Sequence, residues 1–217
     1  MLRADLHVHT RYSPDGLSHP KAVVARCQRV GLNCLAVTDH NTIRGALAVR
    51  ELAPFMVIVG EEIRTSRGEV TGLFLQEEVP SGLAPGEAAR RVKEQGGLVS
   101  IPHPFDTFRR GSALDRVGLE EVLPYADVVE AFNARNVFAE HDRAAQRLAS
   151  ERGLLVSAVS DAHTLGELGH TYVEMPEFDG TPEGFKAALA QCKLVTRRAS
   201  RLVHLSTTIA KLRRLWR

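Results

Sequence analysis

Short apolar runs alternate along the chain with segments of helical character. The runs are continuous and β-branched enough for buried strands, and such strands are predicted at residues 4–10, 33–38, 56–60, 98–101, 127–131 and 154–159. The segments between them predict helices at about residues 18–30, 42–52, 85–95 and 137–152, with one more beginning at Thr181. A hairpin around Ser66-Arg67-Gly68 is expected at 63–76, a loop at 105–118 and an edge strand at 170–175. The alternation of strand and helix predicts a parallel α/β fold, wound open or closed into a barrel.

Histidine and acidic side chains mark the carboxyl ends of almost all the predicted strands. In parallel α/β folds these ends share one edge, where ligand-binding groups collect. His7 and His9 alternate with Leu6 and Val8, so the two imidazoles are expected on one face of the first strand, and Leu6 and Val8 on the other. The groups expected at this edge are His7, His9, His40, Glu62, His103, Asn133, Asp161 and His163. Because imidazole and carboxylate are common metal ligands, the sequence predicts a metal site there.

The bulk composition is that of a soluble globular protein. The chain has 217 residues, of which 44% are hydrophobic and 25% are charged, and this fits one domain with at most a short appendage. Its three cysteines are odd in number and widely spaced, so we expect reduced thiols and a cytoplasmic location. No apolar stretch approaches the length of a membrane span, and we expect no secretory leader.

Charge divides the chain into two parts. After Glu183 there is no acidic residue, but nine of the 28 lysines and arginines lie there, which leaves 19 basic against 26 acidic residues before it. We therefore divide the chain into a main domain at residues 1–192 and a basic amphipathic tail at 193–217. An acidic body favours cations, and a basic tail favours a polyanionic partner such as nucleic acid. Apolar residues recur in the tail at helical spacing, which predicts packing on the barrel or on a second subunit in a homodimer: Leu202, Leu205, Ile209, Leu212 and Trp216.

Imidazole and carboxylate ligands without a thiolate fit Zn²⁺, Mn²⁺ or Fe²⁺ at a catalytic site better than they fit a structural zinc site. The ligands are too many for one ion with open positions, and they suit two or three ions that share a bridging carboxylate. Closely spaced ions generate hydroxide at neutral pH and clamp the oxygens of an in-line displacement at phosphorus. Phosphoester hydrolysis is therefore the leading reaction, and a binuclear amidohydrolase acting on a C–N bond is the alternative with similar ligands.

A set of short motifs in a fixed order resembles the PHP (polymerase and histidinol phosphatase) family of metal-dependent phosphoesterases. The resemblance runs from residue 5 to about residue 175. It is carried by His7-Val8-His9, Asp15-Gly16, Thr38-Asp39-His40-Asn41-Thr42, Gly60-Glu61-Glu62-Ile63, Pro102-His103-Pro104, Glu130-Ala131-Phe132-Asn133-Ala134-Arg135 and Ser160-Asp161-Ala162-His163. It implies an α/β fold, namely a distorted (β/α)7 barrel of PHP type with the metal site at the carboxyl ends of the strands.

The resemblance also implies a set of metal ligands. His7, His9, Glu62 and Asp161 would hold one ion, and Glu62 would bridge to a second ion bound by His103. Asp15, His40 and His163 would hold a third. Hydrolysis would depend on a catalytic set within these ligands: His7, His9, Glu62, His103 and Asp161. The cofactors implied are two or three divalent ions of Mn, Zn or Fe.

The chain departs from the family pattern at one ligand of the second ion. Many relatives have His or Cys there, and this chain has Asn133 or Glu130. Arg135, two residues further on, resembles a phosphate-binding position of nucleotide phosphatases, since guanidinium binds phosphate in a bidentate manner. Arg135 and Asn133 are thus the substrate-binding residues that we expect. Asp39 is expected to orient His40 or another ligand rather than to bind metal.

The substrate is expected to be a nucleotide, a nucleic-acid end or a small phosphomonoester. Only 40 residues separate Glu62 from His103, which leaves no room for a helical lid and favours an open site. Two alternatives stay open. The first is a non-catalytic PHP metal-binding module in a nucleic-acid-processing assembly. The second is hydrolysis of another bond, such as a cyclic amide, which a carbamylated lysine at a strand end would favour, and no predicted strand here ends in lysine.

Overall fold

A nine-stranded mixed sheet carries the candidate ligands. The computed structural model describes residues 1–109, 111–200 and 203. Within these residues the strands are β1 (Leu2–Val8), β2 (Cys34–Val37), β3 (Met56–Thr65), β4 (Gly68–Leu73), β5 (Leu98–Ile101), β6 (Ala126–Asn133), β7 (Leu155–Val159), β8 (Tyr172–Met175) and β9 (Lys193–Val195). Their order in the sheet is β7-β6-β5-β4-β3-β2-β1-β8-β9.

Helices connect most of these strands. The described residues form α1 (Pro20–Val30), α2 (Arg44–Leu52), α3 (Pro85–Glu94), α4 (Arg116–Val122), a 3₁₀ helix (Leu123–Tyr125), α5 (Ala139–Arg152) and α6 (Pro182–Leu189). Proline opens α1, α3 and α6, where its missing N–H costs nothing. Gly31 and Gly153 close α1 and α5 in the left-handed conformation that glycine adopts without strain. No helix in these ranges is both long and apolar enough to cross a bilayer.

Two parallel blocks of strands bring the functional side chains to one edge. β1, β2 and β3 form the first block, and β5, β6 and β7 form the second. β4 joins the blocks, because it pairs antiparallel with both β3 and β5. The hairpin of β3 and β4 matches the one predicted around Ser66-Arg67-Gly68. β8 and β9 extend the other side in antiparallel pairing, beginning beside residues 2–4 of β1.

The two ends of the sheet meet at its carboxyl edge and nearly close it into a barrel. Val8 of β1 forms a parallel bridge with Ala162, which follows β7. The backbone N–H of His9 donates to the carbonyl of Ala162 at 2.8 Å, and the N–H of Ser160 donates to Oδ1 of Asp5 at 3.0 Å. These bonds bring the residues after β7 beside the two histidines of β1. The predicted α/β class and barrel-like sheet are confirmed.

Two apolar clusters pack the two faces of the sheet. One includes buried side chains of α1, α2, α3 and α5, so these helices cover the outside. The other unites apolar residues from β1 through β8 with α6, so it fills the interior. Leu6 lies in the interior cluster and Val8 in the outer one. The predicted common face for these two residues is therefore wrong, because the pairing of β1 with β2 shifts register between Asp5 and Val8.

The structure differs from the sequence prediction at two further places. α4 occupies part of the segment at 105–118 that we expected to be a loop. At the other end, β9 pairs with β8, so residues 193–195 of the predicted tail belong to the sheet. The folded unit thus extends past residue 192. The apolar stripe predicted from Leu202 to Trp216 lies outside the described residues.

Candidate metal centre

The two histidines of β1 form the base of the site. His7 and His9 are buried, and their Nε2 atoms lie 3.0 Å apart. Each Nε2 lies 3.3 Å from Oε2 of Glu62. Oδ1 of Asp161, from the turn after β7, lies 3.5 Å from Nε2 of His9 and 3.9 Å from Nε2 of His7. Two imidazoles and two carboxylates, in or just after β1, β3 and β7, thus face one point.

Glu62 is the central group of the site. It lies on β3 just beyond the last residues that pair with β2, and its two oxygens face different neighbours. Oε1 lies 2.8 Å from Nε2 of His103, and Oε2 lies 3.2 Å from Nδ1 of His40. The carboxylate therefore contacts four imidazoles, counting His7 and His9, which is a suitable arrangement for a bridging ligand.

A third group of donors surrounds Asp15. Its Oδ1 lies 3.4 Å from Nε2 of His163, and its Oδ2 lies 3.5 Å from Nε2 of His40. Donor atoms of Asp15, His40, His163 and His9 all lie within 4.8 Å of one another. Asp15, which follows a proline in a turn, thus has more than a turn-forming role. The structure brings all eight predicted metal ligands into one continuous cluster.

The spacing of these donors fits divalent metal ions. Ligand atoms 2.0–2.1 Å from a tetrahedral ion lie roughly 3.4 Å from one another. Six distances between imidazole nitrogens and the oxygens of Glu62, Asp15 and Asp161 lie at 3.2–3.5 Å and match this separation. The pair His103–Glu62 is closer, at 2.8 Å, and the pair His7–Asp161 is wider, at 3.9 Å. The set contains imidazole and carboxylate and no thiolate, as Zn²⁺, Mn²⁺ and Fe²⁺ accept.

The buried charges of the cluster depend on one another. Burial opposes ionisation of Glu62, but His7 and His40 outweigh it and hold the pKa of Glu62 well below its usual range. Burial likewise disfavours a charged His9, yet Asp161 and Glu62 raise its pKa to about 9. Burial together with the charges of His9 and Arg135 lowers the pKa of His163 to about 3. The carboxylates therefore need positive charge beside them, which divalent ions would supply.

Family profiles identify the chain. The PHP domain profile matches residues 5–82, and the PHP-associated profile matches residues 139–193. Two uncharacterised proteins of Methanocaldococcus jannaschii are each 38% identical to the chain. One match spans 181 residues, or 82% of this chain and 72% of that protein, and the other spans 146 residues, or 61% and 82%. The chain belongs to the PHP family.

Other PHP proteins are more distant. An error-prone DNA polymerase of Mycolicibacterium paratuberculosis is 27% identical over 200 residues, which are 77% of this chain but 18% of the polymerase. A two-domain protein of Bacteroides vulgatus, described as containing a predicted PHP-like metal-dependent phosphoesterase, superposes with a TM-score of 0.72 at 19% identity over 96% of this chain and 69% of that one. A lesion-specific endonuclease of Pyrococcus furiosus superposes with a TM-score of 0.57 at 14% identity over 89% and 57%. These structures show the shared PHP fold.

Glu130 and Asn133 stand where many PHP relatives have His or Cys, and both form hydrogen bonds to neighbouring ligands. Oε1 of Glu130 lies 2.5 Å from Nδ1 of His7, and its Oε2 accepts the backbone N–H of His103 at 2.7 Å. Nδ2 of Asn133 donates to Glu130 at 2.8 Å and to Asp161 at 3.1 Å, while its Oδ1 accepts the N–H of Arg135 at 2.9 Å. Glu130 and Asn133 therefore hold the neighbouring ligands in place.

Two ligand positions have unusual backbone angles. His103 has φ of 27° and Asp161 has φ of 53°, values that residues other than glycine seldom adopt. Surrounding bonds hold both residues, including the bond from the N–H of His103 to Glu130. Such strain concentrates at functional sites, where the fold over-determines a side-chain direction.

Asp39 supports the first strand rather than His40. Its two oxygens accept the backbone N–H and the hydroxyl of Thr10 at 2.6 and 2.7 Å, so it fixes the residue that follows His9. Ser13, which the sequence did not single out, has its Oγ 3.0 Å from Nδ1 of His9 and accepts the N–H of His40 at 2.9 Å. Glu61 points away from the centre, since its Oε2 accepts the N–H of Val79 at 2.8 Å.

Arg135 is buried beside the third group of donors. Its guanidinium contacts Nδ1 of His163, lies 3.6 Å from Glu167 and donates to the carbonyl of Val203 at 3.1 Å. The segment after β9 thus reaches the rim at this arginine. Arg109, for which the sequence analysis gave no role, contacts Oδ2 of Asp161 and donates to Asp106 at 2.7 Å. Arg109 lies in a loop, where the sequence has no hydrophobic periodicity from which the direction of its side chain could be predicted.

Glu69 is a buried carboxylate that sequence reasoning missed. It lies on β4 opposite Arg64, within 3.8 Å of both His40 and His103. The predicted hairpin could have placed Glu69 near Glu62. In an antiparallel pair around Ser66-Arg67-Gly68, the residue opposite Arg64 shares a face with Glu62, since side chains two residues apart lie on one side of a strand.

Proposed function

We propose that this PHP protein is a metal-dependent phosphoesterase that hydrolyses a phosphate ester by displacement with water at phosphorus. One observation carries the proposal. Eight histidine and carboxylate side chains, which lie in or after five strands, form adjoining donor groups. Glu62 contacts His7, His9, His40 and His103, and the group around Asp15 includes His9 and His40. Several adjoining cation sites suit an in-line displacement, because both the attacking and the leaving oxygen need stabilisation.

We assign the donors to two or three ions of Mn, Zn or Fe. His7, His9, Glu62 and Asp161 would hold the first ion, and Glu62 with His103 the second. Asp15, His40 and His163 would hold the third. When bound, such ions lower the pKa of water and neutralise charge on a phosphoryl group.

The protein side chains orient these ligands and bind the substrate. Glu130 accepts the hydrogen on Nδ1 of His7, which directs the Nε2 lone pair towards Glu62. Nδ2 of Asn133 donates to Oδ2 of Asp161 and so orients that carboxylate. We assign phosphate binding to Arg135 at the same rim, since a guanidinium matches phosphate oxygens.

The substrate class that we propose is a nucleotide, a nucleic-acid end or a small phosphomonoester. The relatives described as a DNA polymerase and a lesion-specific endonuclease favour a nucleic-acid substrate. The basic residues after Glu183 would add contacts to such a polymer. We further propose a cytoplasmic location, consistent with three free cysteines. A homodimer through the apolar stripe of the tail stays a prediction.

A substrate panel with manganese tests the proposal. The panel contains an aryl phosphate, its bis-aryl diester, nucleoside 5′- and 3′-monophosphates and a 5′-phosphorylated oligonucleotide. We expect metal-dependent turnover that His9→Ala abolishes and that His19→Asn, an exposed helix-cap change outside the site, leaves intact. Absence of turnover in protein shown to bind several ions would instead support the non-catalytic PHP module.

A further inference from the structure

The ion assigned to His103 has few protein ligands. His103 and the bridging Glu62 contribute one donor each, with Nε2 and Oε1 2.8 Å apart. The two residues that align with the missing His or Cys are already engaged. Glu130 uses its oxygens for Nδ1 of His7 and the N–H of His103, and Asn133 turns its amide nitrogen towards Glu130 and Asp161. A further ligand for this ion must come from another part of the barrel.

Glu69 is a further carboxylate beside His103. Its Oε2 lies 3.8 Å from Nε2 of His103, and its Oε1 lies 3.8 Å from Nδ1 of His40. Donor atoms of Glu69, Glu62 and His40 all lie within 4.8 Å of one another. The carboxylate of Glu69 therefore lies within reach of both His40 and His103, beside that of Glu62.

Glu69 is a buried carboxylate whose arginine partner is partly exposed. The residue is 5% exposed, and among the described residues it pairs with one arginine, Arg64, which lies 3.2 Å away with 45% of its side chain in solvent. Glu62 carries the same charge, and its carboxylate lies within 4.8 Å of that of Glu69. A divalent ion between Glu69, Glu62 and His103 would satisfy both carboxylates.

We propose that Glu69 is a ligand of the ion bound by Glu62 and His103, in place of the His or Cys that this chain lacks. The inference rests on the metal-binding part of the proposed function and is independent of the bond that is hydrolysed. Two carboxylates and one imidazole form a harder donor set than one with an added His or Cys. The set of Glu62, Glu69 and His103 therefore favours Mn²⁺ over Zn²⁺ more than a set in which His or Cys replaces Glu69.

Metal titration of Glu69→Gln tests the inference. The apo proteins are titrated with Mn²⁺ in a calorimeter, and bound metal is counted after dialysis. We expect Glu69→Gln to lose one ion or to bind it at least 10-fold more weakly, with the other ions unchanged. Glu61→Gln is the matched control. Glu61 is buried, as Glu69 is, and it lies on the same strand as Glu62, but its carboxylate bonds to the N–H of Val79 outside the centre. Unchanged ion count and affinity in Glu69→Gln would overturn the inference.

Two more variants separate metal binding from a structural role. Glu69→His supplies a new donor but cannot pair with Arg64, and we expect it to restore the lost ion with a preference shifted towards Zn²⁺. Arg64→Gln removes the ion pair and is expected to keep every ion. If Arg64→Gln loses the same ion as Glu69→Gln and Glu69→His fails to restore it, Glu69 serves the fold and the inference fails. Loss of an ion from Glu69→Gln in a protein that hydrolyses no phosphate ester would refute the proposed function alone.

Discussion

Oε1 of Glu130 lies 2.5 Å from Nδ1 of His7 at the base of the centre. This contact places the ring hydrogen on Nδ1 and leaves Nε2 for a cation, as in the carboxylate–histidine–metal arrangement. We expect Glu130→Gln to weaken Mn²⁺ binding 10- to 100-fold, because an amide can present an N–H to Nδ1 and favour the wrong tautomer. Calorimetric titration measures the effect.

The exposed Glu140→Gln on α5 is the control for this change, and we expect wild-type affinity from it. Equal affinity in Glu130→Gln and Glu140→Gln would show that Glu130 does not orient His7.

Gly45 allows Asp39 to reach Thr10. A Cβ at Gly45 would lie 1.7 Å from Oδ2 of Asp39 and 2.5 Å from Oγ1 of Thr10. Alanine usually stabilises a helix by up to about 1 kcal/mol relative to glycine, but here we expect Gly45→Ala to lower the free energy of unfolding by about 1–3 kcal/mol. Urea denaturation of this variant and of Gly166→Ala, where the added Cβ meets open space, gives the comparison. A stabilised Gly45→Ala would contradict the packing described.

We assign phosphate binding to Arg135, whose guanidinium contacts Nδ1 of His163. We expect Arg135→Lys to lower kcat/KM about 10- to 100-fold on the preferred substrate, because lysine loses the bidentate geometry of a charge-assisted pair. The loss should fall mainly on KM, with the count of bound Mn²⁺ unchanged. Arg143→Lys, an exposed change on α5, should leave both constants intact. If Arg135→Lys binds fewer ions and its KM is unchanged, Arg135 positions His163 and does not bind phosphate.

The three cysteines should differ in their reactivity with thiol reagents. Burial raises the pKa of Cys27 and of Cys34 to about 12, so about 10⁻⁴ of each is thiolate at pH 8. Cys192 is only half-buried. We expect one thiol to react in the native protein with a disulfide reagent and three in denaturant, with native reactivity lost in Cys192→Ala. Rapid reaction of two or more native thiols would contradict this burial.

The basic residues after Glu183 should make binding to single-stranded oligonucleotides salt-dependent. Substituting Lys211, Arg213 and Arg214 by alanine removes three charges, so we expect the slope of log affinity against log salt to fall by about 2. Fluorescence anisotropy across a salt series measures the slope. Substitution is preferable to truncation at Ala199, because the N–H of Ala199 donates to the carbonyl of Ala134 at 2.8 Å. An unchanged slope would remove these residues from the nucleic-acid contact.

The local sequence is enough to locate most of the centre. His7, His40, His103 and Asp161 are found at or just after strand ends, and apolar runs that read as strands locate those ends. Parallel strands place their carboxyl ends at one edge whatever the order of pairing, so the convergence of these groups follows from the fold class.

Tertiary structure decides which groups share an ion and which support the ligands. Glu130 and Asn133 stand at positions where the sequence allows ligation, but their atoms meet His7, Asp161 and the backbone of His103. Glu69 enters the centre only because β4 pairs antiparallel with β3. These contacts join residues from different strands, so they depend on strand register and loop path. Local propensity sets neither of these, since each is fixed by long-range pairing when the barrel closes.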